Sequence, residues 1–220
     1  MKLDKKVYLG AVAAETARMS YPGRMGGMLR QEAKKTIQRY FEHKLLPPLW
    51  YRPNKVAKSF DKWHQLETKK FALYLRGKKL LKQRKRATGV ATKLLNTFLY
   101  QLMKYKRFQS LYRNLHLPLD QRVFEQLRWL WNQQQPQALE LVRKFLSGKE
   151  GTNPYYLSYK EYKQFQKALG CLREECWADR QRLSSRIELN ALLWAVDRSP
   201  VAGHRSLWGR EDTSQKRSKR

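Results

Sequence analysis

Acidic residues are scarce in this 220-residue chain: 18 Asp and Glu stand against 47 Lys and Arg, a formal net charge of +29. Self-repulsion on that scale works against compaction unless a polyanion offsets it, and DNA or RNA is the natural counterion. An anionic membrane surface is the rival partner. It calls for a basic amphipathic helix or a lipid anchor, and Met1-Lys2-Leu3 lacks the Met-Gly start of a myristoylated chain. Long apolar runs are absent as well. None approaches the roughly 18 residues of a spanning helix, so no membrane partner is expected. Val7 to Ala14 mimics a short secretory leader, but it is poor in large apolar residues and runs into Glu15 and Arg18. It is read as part of a first helix.

Cysteine is nearly missing. Cys171 and Cys176 lie five apart in a helical pattern, on roughly opposite sides, which argues against a disulfide and leaves too few ligands for zinc. A reducing compartment fits, hence a cytoplasmic location, or a nuclear or organellar one in a eukaryotic cell.

Catalytic patterns are also lacking. His43, His64, His116 and His204 are not three or four residues from another His or Cys, so no metal and no cofactor are expected. The run Arg39-Tyr40-Phe41-Glu42-His43 falls short of the Arg-to-His spacing of helical ribonucleases. In the basic half, Asp4, Glu15, Glu32, Glu42, Asp61 and Glu67 are scattered singly, unlike carboxylates that hold two metal ions. The loop from Ser20 to Gly27 lacks the Gly-Lys-Ser/Thr ending of a P-loop. It reads as an interhelical connection, with Arg24 as a secondary phosphate contact. No Gly-x-Ser-x-Gly is present, and no enzyme is expected.

What the chain does contain is helical periodicity. Hydrophobic residues make up 41% and no period-2 alternation is sustained. The expected fold is all-α, a helical bundle of about seven to eight helices with a basic, flexible C-terminal tail. A helix over 5–19 precedes the Gly/Pro loop. A second covers 28–46, with Leu29, Ala33, Ile37, Tyr40, Phe41 and Leu45 on one side, and Pro47-Pro48 ends it. Residues 54–85 form one helix or two, with Gly77 a weak point. Gly89 separates them from a helix over 90–115 bearing Leu94, Leu95, Phe98, Leu102 and Tyr105. Asp120 caps a helix through Trp131, and Pro136 opens a short one closed by Ser147-Gly148. Ser158 and Glu161 make a capping box for a helix that Gly170 closes, and a last helix covers 172–196. Three parts result: a basic helical part (1–116), a helical packing part (117–196) and a polar basic tail (197–220).

The charge is unevenly spread. Residues 1–116 hold 28 Lys/Arg and six Asp/Glu, against 19 and 12 in residues 117–220. Residues 52–113 carry 18 cations with only Asp61 and Glu67 as acids, whereas a solvated helix surface intersperses acids among its bases. Candidate phosphate contacts are therefore Arg52, Lys55, Lys58, Lys62, Lys69, Lys70, Lys78, Lys79, Lys82, Arg84, Lys85 and Arg86. On a helix, Leu80 and Leu81 would face the core while Lys78, Lys82, Lys85 and Arg86 share a face. A second group, Lys104, Lys106, Arg107 and Arg113, is interleaved with Tyr100, Tyr105, Phe108 and Tyr112. Of these, Tyr105 and Tyr112 are candidates to stack on unpaired bases.

These features lead to a non-catalytic nucleic-acid-binding subunit of a ribonucleoprotein or DNA-handling complex, gripping RNA and/or DNA backbone without strong sequence specificity and partnered by other protein subunits. In size, helicity and charge it resembles the helical small subunits of CRISPR effector complexes and ribosome-associated proteins. The alternatives are a sequence-specific replication or transcription factor with a helix-turn-helix near Ala87-Thr88-Gly89-Val90, and a helical nuclease.

Overall fold

The computed structural model describes Leu29 and residues 33–103, 105–119, 123, 124, 127 and 154–176. Among them the architecture is all-helical, and the only strand-like pairing is an isolated antiparallel bridge between Leu29 and Leu81. The expected helices over 5–19 and 136–147, the Asp120 cap, the loop holding Arg24 and the tail from 197 lie outside the described residues.

Helix α1 (Ala33–Tyr40) buries Ala33, Ile37 and Tyr40, and a π turn (Phe41–Leu45) buries Phe41 and Leu45. Ala33, Ile37, Tyr40, Phe41 and Leu45 are the stripe expected from helical spacing, whereas Leu29, expected on the same helix, is buried from the bridge to Leu81. Pro47-Pro48 do not end the helix as expected. They sit in the first turn of α2 (Leu46–Tyr51), where the amide they lack has no intrahelical partner. The π turn makes this possible, since the Leu46 amide reaches back five residues to the Phe41 carbonyl. Termination falls to Pro53, which holds Arg52 out of helical geometry at φ −137° and ψ 51°.

Helix α3 (Pro53–Lys58) stops at Ser59, whose hydroxyl donates to the Lys55 carbonyl, and α4 (Phe60–Gly77) follows. The long segment is thus broken at Ser59 and closed at Gly77. Helix α5 runs over Ala87–Leu102 and a 3-10 helix over Lys106–Asn114, where one helix to residue 115 was expected. Phe108 and Leu111 are buried three residues apart, the repeat of a 3-10 helix, and Gln109 donates to the Met103 carbonyl at the end of α5.

Gly89 does not separate two helices. It lies in the first turn of α5, and a Cβ there would stand 2.4 Å from the Tyr155 Cα. A short 3-10 turn (Pro154–Tyr156) therefore rests directly on α5 at this glycine. Nor does Gly170 close a helix, because α6 runs unbroken over Tyr159–Cys176. Its start is as expected: the Glu161 carboxylate accepts the Ser158 amide at 2.8 Å, and the Ser158 hydroxyl accepts the Glu161 amide.

One hydrophobic cluster reaches from Leu29 to Leu169. At its centre Phe41 stacks on Phe98 at 4.7 Å and meets Phe71 at 5.2 Å, joining the π turn to α4 and α5. Tyr40 stacks on Phe71 beside it. Burial, then the charges of Glu67 and Tyr74, push the Tyr40 phenol up to about 12. Residues 115–119 are strapped to α6 by Gln166, which accepts the Leu117 amide and donates to its carbonyl.

Candidate nucleic-acid interface

The basic surface is organised by the C-terminus of α4. Phe60, His64, Phe71 and Leu75 are buried, leaving Lys62, Leu66, Lys69, Lys70, Leu73 and Arg76 exposed. Of these cations, Lys70 is paired to Glu67 at 2.8 Å. The helix ends in a Schellman motif: the Leu80 amide donates to the Leu75 carbonyl, and the Lys79 amide to the Arg76 carbonyl. Leu75 and Leu80, both buried, make the accompanying apolar contact.

Two residues in this motif run against its local preferences. Lys79 occupies the left-handed position with φ 53°, where a non-glycine residue costs roughly 1–2 kcal/mol. The helix dipole does not explain it, because an exposed cation there gains only about 0.3–1 kcal/mol, and Arg76 and Lys78 already supply that charge at ordinary geometry. Gly77 is the converse. A Cβ at 77 would meet nothing within 4 Å, so the fold forgoes the roughly 0.5–1 kcal/mol that alanine would contribute.

Beyond the motif, Leu80 and Leu81 are buried and Leu81 bridges Leu29, so the backbone is pinned while Lys78, Lys79 and Lys82 are held out to solvent. The expected basic helix through this stretch is not formed. Residues 78–83 are a loop and Arg84–Arg86 a 3-10 turn, because the Schellman motif over Leu75–Leu80 ends α4 and the bridge to Leu29 then fixes Leu81. No cation row at helical spacing results; the charges instead surround an open basin of about 660 Å³ lined by Leu73, Arg76, Gly77, Lys79, Arg84 and Lys85.

Tyr156 is the residue that sequence reasoning missed. Lys85 Nζ lies 5.1 Å and Arg86 Cζ 4.6 Å from its ring centroid, and its hydroxyl accepts from Arg86 and donates to Gln83. Seventy residues separate Tyr156 from Arg86, and no local signal links them. Tyr155 next to it is buried, with Lys93 Nζ donating to its hydroxyl at 2.9 Å. Neither Arg76, Lys78, Lys79, Lys82, Arg84, Lys85 nor Arg86 is ion-paired to a described residue, and the chain has no carboxylate between Glu67 and Asp120.

The second basic group is brought together separately. Helix α3 packs against the 3-10 helix of 106–114, where Asn114 donates to the Ala57 carbonyl at 3.1 Å. Arg52, Lys55, Lys58, Lys106, Arg107 and Arg113 are all exposed on these elements and their junctions. Arg107 is committed to the fold: it donates twice to the Trp50 carbonyl and lies 4.9 Å from the Trp50 ring. Tyr105 and Tyr112 are half-buried against the core and Phe108 is fully buried, leaving Tyr100 the exposed aromatic of that group. Lys104 and Arg24 lie outside the described residues.

A second polar cluster is buried at its centre. His64 Nδ1 meets the Tyr159 hydroxyl at 2.9 Å and its Nε2 meets Asn96 Oδ1 at 2.9 Å. Asn96 donates to the Tyr162 hydroxyl at 2.7 Å, which meets His116 Nδ1 at 3.0 Å, and His116 Nε2 lies 3.1 Å from Asp61. One proton assignment satisfies all five contacts with both imidazoles neutral, each donor pointing from Tyr159 towards Asp61. His64 and His116 are 0% and 2% exposed, while the Asp61 side chain at the end of the relay is 52% exposed. The cluster ties α4, α5, the 115–119 strap and α6 together. Among the described residues no group of His, Cys, Asp and Glu is placed to hold a metal ion, and no helix is long and apolar enough to cross a membrane.

No protein-family model, curated protein or solved structure matches this chain.

Proposed function

We propose that this protein is a non-catalytic nucleic-acid-binding subunit of a ribonucleoprotein or DNA-handling complex, gripping the phosphate backbone with residues 76–86 and the surface around them. The observation that carries this reading is the set of seven cations around the end of α4, none paired to a described carboxylate and all but the half-buried Arg86 exposed. A solvated surface of ordinary design would mix both signs. Phosphates are anions at close, regular spacing, and each one neutralised by the protein releases counterions. Recognition is of backbone and not of base sequence, because the cations stand on a loop and a single 3-10 turn. The position of Gly89 within α5, with nine residues between α4 and α5, favours this reading over a tight helix-turn-helix.

The test is fluorescence anisotropy of the full chain with labelled random-sequence RNA and DNA across a KCl series. Wild type should bind both, with log affinity falling linearly in log salt. Charge reversal at Lys78, Lys82 and Lys85, all exposed and with only the Lys85–Tyr156 ring contact among them, should weaken binding to every sequence. The slope should become shallower by about 0.7–0.9 for each phosphate that the variant no longer neutralises. Unchanged affinity and slope would overturn the assignment, as would protection confined to one selected sequence in footprinting.

A further inference from the structure

We propose that the basin at the end of α4 receives an unpaired nucleotide of the bound strand, its base lying over Leu73 and Gly77 and its phosphates on Lys79, Arg84 and Lys85. This rests on the nucleic-acid reading above and adds the strand class and the residues that select it.

Three observations converge. The basin is a wide, open depression of about 660 Å³ that brings the apolar Leu73 and the bare backbone of Gly77 together with Arg76, Lys79, Arg84 and Lys85. Leu73 is 57% exposed there, an apolar side chain left in water by the fold. A duplex offers such a site only phosphates, because its base faces are stacked inside. An unpaired nucleotide offers both a flat apolar face, which packs against the aliphatic Leu73, and an adjacent charge for the cations around it.

The second and third observations are the two residues that run against the local preferences of the helix end. Glycine at 77 has no steric reason in the fold, since the space beside it is empty, and that space is the basin. A bare backbone there permits the close approach of a planar ring. Lysine at 79 occupies a conformation that favours glycine, and from it lines the same basin. Departures from local preference concentrate where a ligand is held. Here they are two residues apart and line one surface.

The experiment measures affinity of the full chain for a short labelled single strand and for the duplex formed with its complement, in low salt. Gly77→Gln places a neutral, helix-favouring side chain in the basin, and Leu73→Gln removes the apolar surface from an exposed position. Each should leave the melting temperature unchanged or raised, and lower single-strand affinity by roughly 3- to 10-fold, the worth of a partly buried leucine side chain. Duplex affinity should stay within about twofold, since phosphate contacts are untouched. Lys79→Gly should raise the melting temperature while weakening single-strand binding, a pairing of signs that a structural role for Lys79 does not produce. Equal losses for single strand and duplex, or no loss in either glutamine variant, would overturn the proposal. That failure is distinct from failure of the parent reading, in which wild type binds neither strand or charge reversal at Lys78, Lys82 and Lys85 changes nothing.

Discussion

Tyr162 shows what a single side chain does in this fold. Its hydroxyl stands between Asn96 and His116, accepting from one and donating to the other, so two buried polar groups from different elements depend on one oxygen. An unsatisfied buried donor or acceptor costs about 1–3 kcal/mol. Tyr162→Phe, which keeps the ring and its contacts with His64 and His116, should therefore destabilise the protein by about 2–4 kcal/mol in urea denaturation. A loss below about 1 kcal/mol would mean that the relay is dispensable. The two histidines within it were legible in the sequence only as residues without metal-binding spacing. Their burial follows from position: His64 is four residues after Phe60 and seven before Phe71, on the buried side of α4. Their partnership does not, because Asp61, Asn96, His116 and Tyr162 converge only once three helices have packed.

At the scale of elements, the docking of the 154–156 turn on α5 is set by one missing methyl group. The atoms nearest a Cβ at 89 are backbone atoms of Tyr155, at 2.4 to 2.6 Å, and they cannot rotate away. Gly89→Ala gains about 1 kcal/mol of helix propensity and meets a clash that forces the turn off the helix. The expected result is a net loss of about 1–3 kcal/mol, with amide exchange faster at 154–157 than elsewhere. Greater stability than wild type would show that the turn moves freely. Gly89 also illustrates which boundaries could be read in advance. The buried faces at 33–45 and 94–102 follow from helical spacing, and the Ser158–Glu161 cap from local chemistry. Pro47-Pro48, Gly89 and Gly170 look like breaks in one dimension, yet the π turn, the contact with Tyr155 and the length of α6 place all three inside helices. The basic cluster was visible as charge density. Its shape was not, since the loop at 78–83 depends on the Schellman end of α4 and on the bridge from Leu81 to Leu29.

For the whole molecule, +29 of net charge on 220 residues makes stability a function of what surrounds the chain. The cations between Glu67 and Asp120 have no acid among them in sequence, so their mutual repulsion in the free protein is relieved mainly by salt or by a polyanion. These two agents act differently. Raising salt from about 0.1 M to 1 M shortens the screening length from about 10 Å to about 3 Å, and the melting temperature of the free protein should rise with it. An oligonucleotide at about 100 times its dissociation constant adds about 2.7 kcal/mol by mass action, or roughly 5–10 °C for a chain of this size. That increment belongs to low salt, because the same ions that screen the free protein displace it from the strand. Thermal melts with and without oligonucleotide should therefore be far apart at about 0.1 M and converge near 1 M, with the free-protein curve rising to meet the bound one. A free-protein melting temperature that falls with salt would mean that the positive charge is already compensated within the fold, and the need for a polyanionic partner would go with it.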